Sequence, residues 1–142
     1  MVASNANPGF GALFKIGDGA TTEAFTTLAE VSGIPGFGTT QRTSEVTHMQ
    51  STAVEHIGLA LYEGKAFTIP LNFVADNSQQ VTLIQTRVQD GSKHNYQIAF
   101  TDDSSSTVTF SAIVSDADIN HDRDSHAQAS ITFLPTGGYT WA

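Results

Sequence analysis

The chain has no cysteine among its 142 residues, so neither a disulfide nor a thiolate metal site can form. That fits a protein made and folded in the cytosol. Basic residues are scarce: six Lys and Arg stand against 14 Asp and Glu, for a formal net charge of −8. A nucleic-acid binder draws its affinity from neutralising phosphates, and this balance argues against tight binding of DNA or RNA. It is compatible with a surface past which DNA slides without sticking, and equally with plain solubility. No window holds an apolar run long enough for a membrane span. The N-terminus has no charged segment leading into an apolar one, so no secretory signal is expected.

What the chain does hold is β-forming and turn-forming residues. Thr, Ser, Val, Phe and Gly are plentiful, much of the 39% hydrophobic fraction is Ala, and the length suits one core. The clearest strand covers residues 67–73. Phe67, Ile69, Leu71 and Phe73 fall on one face, with Ala66, Thr68, Pro70 and Asn72 on the other. Such alternation marks a sheet with one buried and one wet face. Pro70 has no N–H to give, which places it on a sheet edge or at a bulge. Upstream, residues 43–47 form a short β-compatible segment. Between the two lies a connection of roughly 15 residues, longer than connections in compact domains usually run. It carries Ile57, Leu59, Leu61 and Tyr62, which a solvated loop has no reason to hold. An apolar patch of that kind is expected to be covered, and a neighbouring copy of the same chain is the expected cover. The expected inter-subunit contacts are Val46, His48, Val54, Ile57, Gly58, Leu59, Leu61 and Tyr62.

Elsewhere, residues 1–10 read as a flexible N-terminal arm, and residues 11–142 as a single domain. Residues 11–16 form the first strand, with Leu13 on the face opposite Phe14 and Ile16; Gly17-Asp18-Gly19 then turns the chain. Residues 25–31 give a second strand or short irregular segment. The glycines of 34–38 lack the spacing, the helix and the acidic residue of a dinucleotide loop, and read as turns. A helix is predicted from Asn77, an N-cap with Gln80 three residues on in the capping-box arrangement. Val81, Ile84 and Val88 then recur at helical spacing beside Leu83, Arg87 suits the negative end of the dipole, and Gly91 supplies the left-handed exit. Three further antiparallel strands place Tyr96, Ile98 and Phe100, then Val108, Phe110, Ala112 and Val114, then Ala129, Ile131 and Phe133 inward. The fold class is mainly β: an antiparallel sandwich or barrel-like roll flanked by one α-helix.

Three constellations invite chemistry. Asp116, Asp118, Asn120, Asp122 and Asp124 sit at every second position before His126, like the oxygen ligands of a calcium loop. The loop's glycine is here His121 and its closing glutamate Ala127, and a polar connection between strands explains the run more simply. The five histidines show no metal-ligand spacing. His48, Glu55 and Ser51 assemble on paper into a hydrolytic set, but no nucleophile elbow occurs, and no enzymatic activity is expected. Trp141 and Tyr139 could stack a sugar or base, although terminal aromatics more often dock on their own domain. No cofactor and no metal are expected.

The order of several short elements resembles the major tail tube proteins of long, non-contractile-tailed phages and related particles, over roughly residues 13–138 at the level of pattern. They are the Glu45-Val46-Thr47 strand end, the Ile57-Gly58-Leu59 element and the Glu63-Gly64 pair before the alternating strand. The helix, a Phe- and Ile-rich strand, and a closing strand running into Thr136-Gly137 complete the order. The Phe-Pro-Asp-Gly turn of that family appears here as Phe100-Thr101-Asp102-Asp103, without its Pro and Gly. The resemblance implies a subunit that forms stacked, usually hexameric rings around a tape-measure protein, with tail terminator and tail tip proteins as further partners. DNA would pass through the bore, in a virion tail assembled in the host cytoplasm. The same fold would serve a tube or ring protein of a contractile secretion or tail machine. A carbohydrate-binding β-sandwich module is the alternative of a different class.

Overall fold

In a computed structural model, every residue is described except Met1, Val2, Asn5, Asn7, Pro8, Phe10 and Asp103. Most of the expected N-terminal arm therefore lies outside the described residues, as does the last residue of the 100–103 turn. Among the described residues eight strands and one helical run follow one another: β1 (Leu13–Gly17), β2 (Phe25–Thr27), β3 (Thr39–Glu45), β4 (His56–Gly64), β5 (Phe67–Asn72), the helical run, β6 (His94–Ala99), β7 (Thr107–Asn120) and β8 (Gln128–Trp141). All named pairings are antiparallel. Six strands form one sheet in the order β2-β1-β6-β7-β8-β5, and β3 and β4 form a separate two-stranded sheet.

The large sheet rolls up on itself. Phe14 of β1 and Phe67 of β5, four strands apart in the order, meet with ring centroids 6.5 Å apart. The segment after β2 returns to the opposite edge, where Val31 bridges Leu71. Ser32 N–H donates to the Pro70 carbonyl at 2.9 Å, and Asn72 N–H to that of Glu30 at 2.8 Å. Pro70 thus sits on an edge strand, as its missing donor requires. Inside the roll the alternation is realised strand by strand: Phe14 and Ile16, Phe67, Ile69 and Leu71, Tyr96 and Ile98, Val108 through Val114 at every second position, and Ala129, Ile131 and Phe133 are all buried. Leu13 faces out. Tyr96 and Phe133 meet edge to face at 4.9 Å, and Phe67 stacks on Phe133 at 5.5 Å.

The helix covers this roll by a face that the apolar spacing indicated in part: Leu83 is buried and Ile84 and Val88 pack against the core, but two polar residues share that face. It consists of α1 (Ser78–Val81), a wide-turned π stretch (Thr82–Arg87) and α2 (Val88–Asp90). The caps are as expected: the Asn77 side chain accepts from Gln80 N–H, and Gly91 leaves at φ 69°. The reciprocal half of the capping box is absent, because the Gln80 amide is buried and used elsewhere. It accepts from Val74 N–H at 2.9 Å and donates to the carbonyls of Ala29 and Asn72 at 3.1 and 3.0 Å. Leu83 and Arg87 are buried with it, whereas Val81 is exposed. Arg87 is no exposed dipole partner: it donates to the Gly17 carbonyl at 2.6 Å and lies 5.4 Å above the Tyr96 ring. Burial pushes the Tyr96 hydroxyl above its ordinary range, with Arg87 opposing.

Candidate assembly surface

Residues 56–64, read from sequence as part of a connection, are a nine-residue strand. β4 pairs with β3, and both faces of the resulting sheet are open: all of β3 and all of β4 except Gly64 are exposed. Gly58 and Ala60 between the larger side chains disguised the strand. The alternation of Ile57, Leu59 and Leu61 was the signal that could have found it. The register jumps between Gln41 and Thr43, and Ala60 in the matching part of β4 takes φ 56°. This bulge is tied across by Arg42 and Glu63, an exposed ion pair at 3.2 Å, and by Gln41 Nε2 donating to the Leu61 carbonyl at 3.5 Å.

Two close approaches fix this sheet to the roll. A Cβ on Gly64 would lie 2.6 Å from Cβ of Pro135, and one on Gly138 2.9 Å from the Tyr62 ring. Both positions therefore require glycine for contact between β4 and β8. From that base the hairpin extends to a turn held by its own hydrogen bonds. Val46 N–H donates to the Glu55 carbonyl and Glu55 N–H to Thr47 Oγ1, each at 2.9 Å. Ser51 N–H donates to the His48 carbonyl at 2.9 Å, and His48 N–H to Ser51 Oγ at 3.1 Å. The turn presents Met49 with its side chain fully exposed (102%).

Every residue expected to make contacts between copies lies on this hairpin, at the surface. Ile57, Leu59, Leu61, Tyr62, Val46 and Val54 are exposed large hydrophobics, and His48 and Gly58 are exposed beside them. Leu59, Leu61 and Tyr62 line a shallow depression of about 360 Å³ with Arg42 and Glu63. A two-stranded sheet with apolar side chains in water is marginal by itself.

The other constellations come apart. His48 Nδ1 accepts from Gln50 N–H at 3.3 Å, and Nε2 lies 4.0 Å from Glu55. Neither ring nitrogen serves Ser51, whose oxygen takes the His48 N–H, so the set has no base aimed at a nucleophile. Ser92, which sequence reasoning passed over, donates to Asp90 and lies 3.0 Å from His94 Nε2. Its proton goes to a carboxylate rather than to an imidazole, and the group serves to tie the turn after the helix. Only the second half of the acidic run is a connection: Asp122 and Asp124 lie between β7 and β8, whereas Asp116, Asp118 and Asn120 belong to β7, paired opposite Thr132, Ser130 and Gln128. An extended strand strings them over roughly 13 Å rather than curling them around one point. Among the described residues no three His, Asp or Glu side chains converge. Trp141 stacks on Phe100 with planes 6° apart at 5.7 Å, and Tyr139 packs against Phe37 and Phe110.

No protein-family model and no curated protein matches the chain in sequence. Solved structures do match in shape. A chain from the tail of an empty gene transfer agent particle with C6 symmetry superposes with a TM-score of 0.78 at 17% identity, over 96% of this chain and 99% of that one. A chain of the six-fold symmetrised anti-feeding prophage baseplate gives 0.70 at 11%, over 100% and 97%. The SPP1 tail tube gives 0.64 at 13%, over 92% and 74%. The fold is the tail tube fold. The expectation of a mainly β, antiparallel roll with one flanking helix holds, and no helix among the described residues is long and apolar enough to cross a membrane.

Proposed function

We propose that the chain is the structural, non-enzymatic subunit of a phage-like tail tube, polymerising as stacked rings of six into a hollow conduit for DNA. Residues 11–142 form its single tube unit and residues 1–10 its N-terminal arm. One observation carries the reading: β4 holds Ile57, Leu59, Leu61 and Tyr62 in water on a strand anchored to the roll at its Gly64 end. Apolar area left open in this way is the driving force for association, and a closed ring of head-to-tail contacts is the arrangement that buries it on every copy. The contacts between copies are Val46, His48, Val54, Ile57, Gly58, Leu59, Leu61 and Tyr62. Likeness in fold to a chain of a tail with C6 symmetry and to one of a six-fold symmetrised baseplate supports the ring number.

The remaining partners follow from the same reading. A tape-measure protein fills the bore during assembly, terminator and tip proteins close the ends, and the finished tube resides in a virion tail assembled in the host cytoplasm. DNA passes the bore without specific binding, as a net charge of −8 favours. The test is Ile57→Asp or Leu59→Asp. Each abolishes tubes in negative-stain images while the monomer melts as before, and a normal tube from either variant overturns the reading.

A second reading, a ring protein of a contractile machine, draws on the likeness to the baseplate chain. Isolated rings rather than long tubes in the same images would favour it.

A further inference from the structure

Arg87 is a buried cation without a counter-charge. Arg42 and Arg123 are exposed, and each has a carboxylate beside it, Glu63 at 3.2 Å and Asp124 at 3.9 Å. Arg87 keeps only 6% of its surface exposed, and among the described residues no carboxylate lies within ion-pair distance of it. That is unexpected in a chain with 14 acidic residues to six Lys and Arg. Nη2 donates to the Gly17 carbonyl at 2.6 Å, and the guanidinium lies over the Tyr96 ring. Nη1 is buried with no hydrogen-bond partner. A guanidinium carries five N–H groups, and a buried cation with donors left over is costly to keep.

The same side chain borders a pocket of about 300 Å³ between the turn after β1 and the first half of the helix, with Gly17, Asp18, Thr26, Ser78 and Thr82 around it. This is the lower end of the range for small-molecule sites, roughly 300–1,000 Å³, and suits a small ion. We propose that the pocket binds inorganic phosphate, held by Arg87, with Asp18 accepting the proton that phosphate retains. The inference is independent of the tube reading.

Two groups of opposite sign define the ligand. The planar fork of an arginine matches the paired oxygens of an oxyanion, which fixes the class. Asp18 narrows it. Its Oδ1 accepts from the N–H groups of Ala20 and Ala24 at 3.0 and 3.1 Å, and these bonds hold the carboxyl below its ordinary value. Asp18 is therefore charged at neutral pH. A carboxylate at the rim repels a fully ionised oxyanion such as sulfate, and it accepts a hydrogen bond from one that still carries a proton. Phosphate near neutral pH carries one. The helix supports the site as well. Its wide-turned stretch starts at Thr82 and ends at Arg87, both on the pocket wall, and such stretches are found mostly where a helix serves a function. Thr26 and Ser78 are exposed, so the pocket opens to solvent on their side.

The test is equilibrium dialysis of the full-length chain against radiolabelled inorganic phosphate, at fixed ionic strength and neutral pH. Saturable uptake of one phosphate per chain is expected, displaced about tenfold better by unlabelled phosphate than by sulfate. Asp18→Asn keeps the acceptor for Ala20 and Ala24, and is expected to bind while displacing equally with both anions. Arg87→Lys keeps the charge and loses the fork, and is expected to bind about tenfold more weakly. Wild-type uptake that does not saturate below about 10 mM overturns the site, as does a folded Arg87→Lys chain that binds as tightly as wild type. A preference for phosphate that survives in Asp18→Asn overturns the role of Asp18. If Arg87→Lys does not fold, the displacement by the two anions in wild type and Asp18→Asn decides alone. Each of these failures leaves the tube reading intact.

Discussion

The two sheets of this molecule use their apolar residues in opposite ways. In the six-stranded roll the alternating side chains close on one another, and Ile69, Leu83, Tyr96, Ile98, Ile131 and Phe133 are wholly buried. In the β3–β4 sheet the same alternation, Ile57, Leu59 and Leu61, points into water. Both obey the same local rule, so strand pattern alone tells nothing about where the cover comes from. In the roll it comes from the chain itself. On the hairpin, nothing among the described residues of the same chain supplies it, and the closed core of the roll is what allows that surface to stay open.

Substitutions separate the regions by size of effect. Phe133→Ala removes a ring that touches Phe14, Phe67 and Tyr96 and is expected to cost about 3–5 kcal/mol in denaturant unfolding. A loss near zero would mean that the roll is not the folding core. Gln80→Leu comes next. It strands Val74 N–H and the carbonyls of Ala29 and Asn72, for an expected loss of roughly 1–3 kcal/mol. Leu59→Ser, on the hairpin, should change monomer stability by no more than about 0.5 kcal/mol while weakening assembly. A monomer melting well below wild type would erase the contrast between the sheets. The smallest effect concerns acid. Ser106 holds the Asp102 carboxyl below its ordinary value of 3.8, first through its hydroxyl and then through its N–H. A depressed carboxylate lends support above its unfolded value, and that support is lost as pH falls through the folded one. The Ser106 amide shift should therefore titrate with a midpoint below 3.8 in the native chain and not at all in Asp102→Asn.

Much of the roll was legible because buried strands leave a period of two in the residues, as Phe67-Ile69-Leu71 and Val108 through Val114 do. The helix caps were legible because Asn77 and Gly91 act through local geometry. Three things were not. Gln80 and Arg87 are polar residues on the inner stripe of the helix, and their partners, Ala29, Asn72, Val74 and Gly17, reach them only through the tertiary fold. Val81, the first residue of the apolar spacing, faces outward, while Ile84 and Val88 pack against the core as the spacing implies. The second half of β7 reads as a loop because it extends beyond the core, with exposed Asp116, Asp118 and Asn120, and there is no buried face to imprint a pattern. On the hairpin the exposed apolar residues were legible and their conformation was not. Apolar content marked 56–64 for burial, but Gly58 and Ala60 hid that it is a strand.

The stitching of Glu30–Ser32 onto the strand that carries Pro70 has a bearing on how the protein is stored. The outer rims of the roll are a three-residue strand and a strand already bonded along part of its length, so fresh chains find little there on which to build an endless ladder. A concentrated solution of the folded chain should therefore resist edge-to-edge fibre growth at the roll.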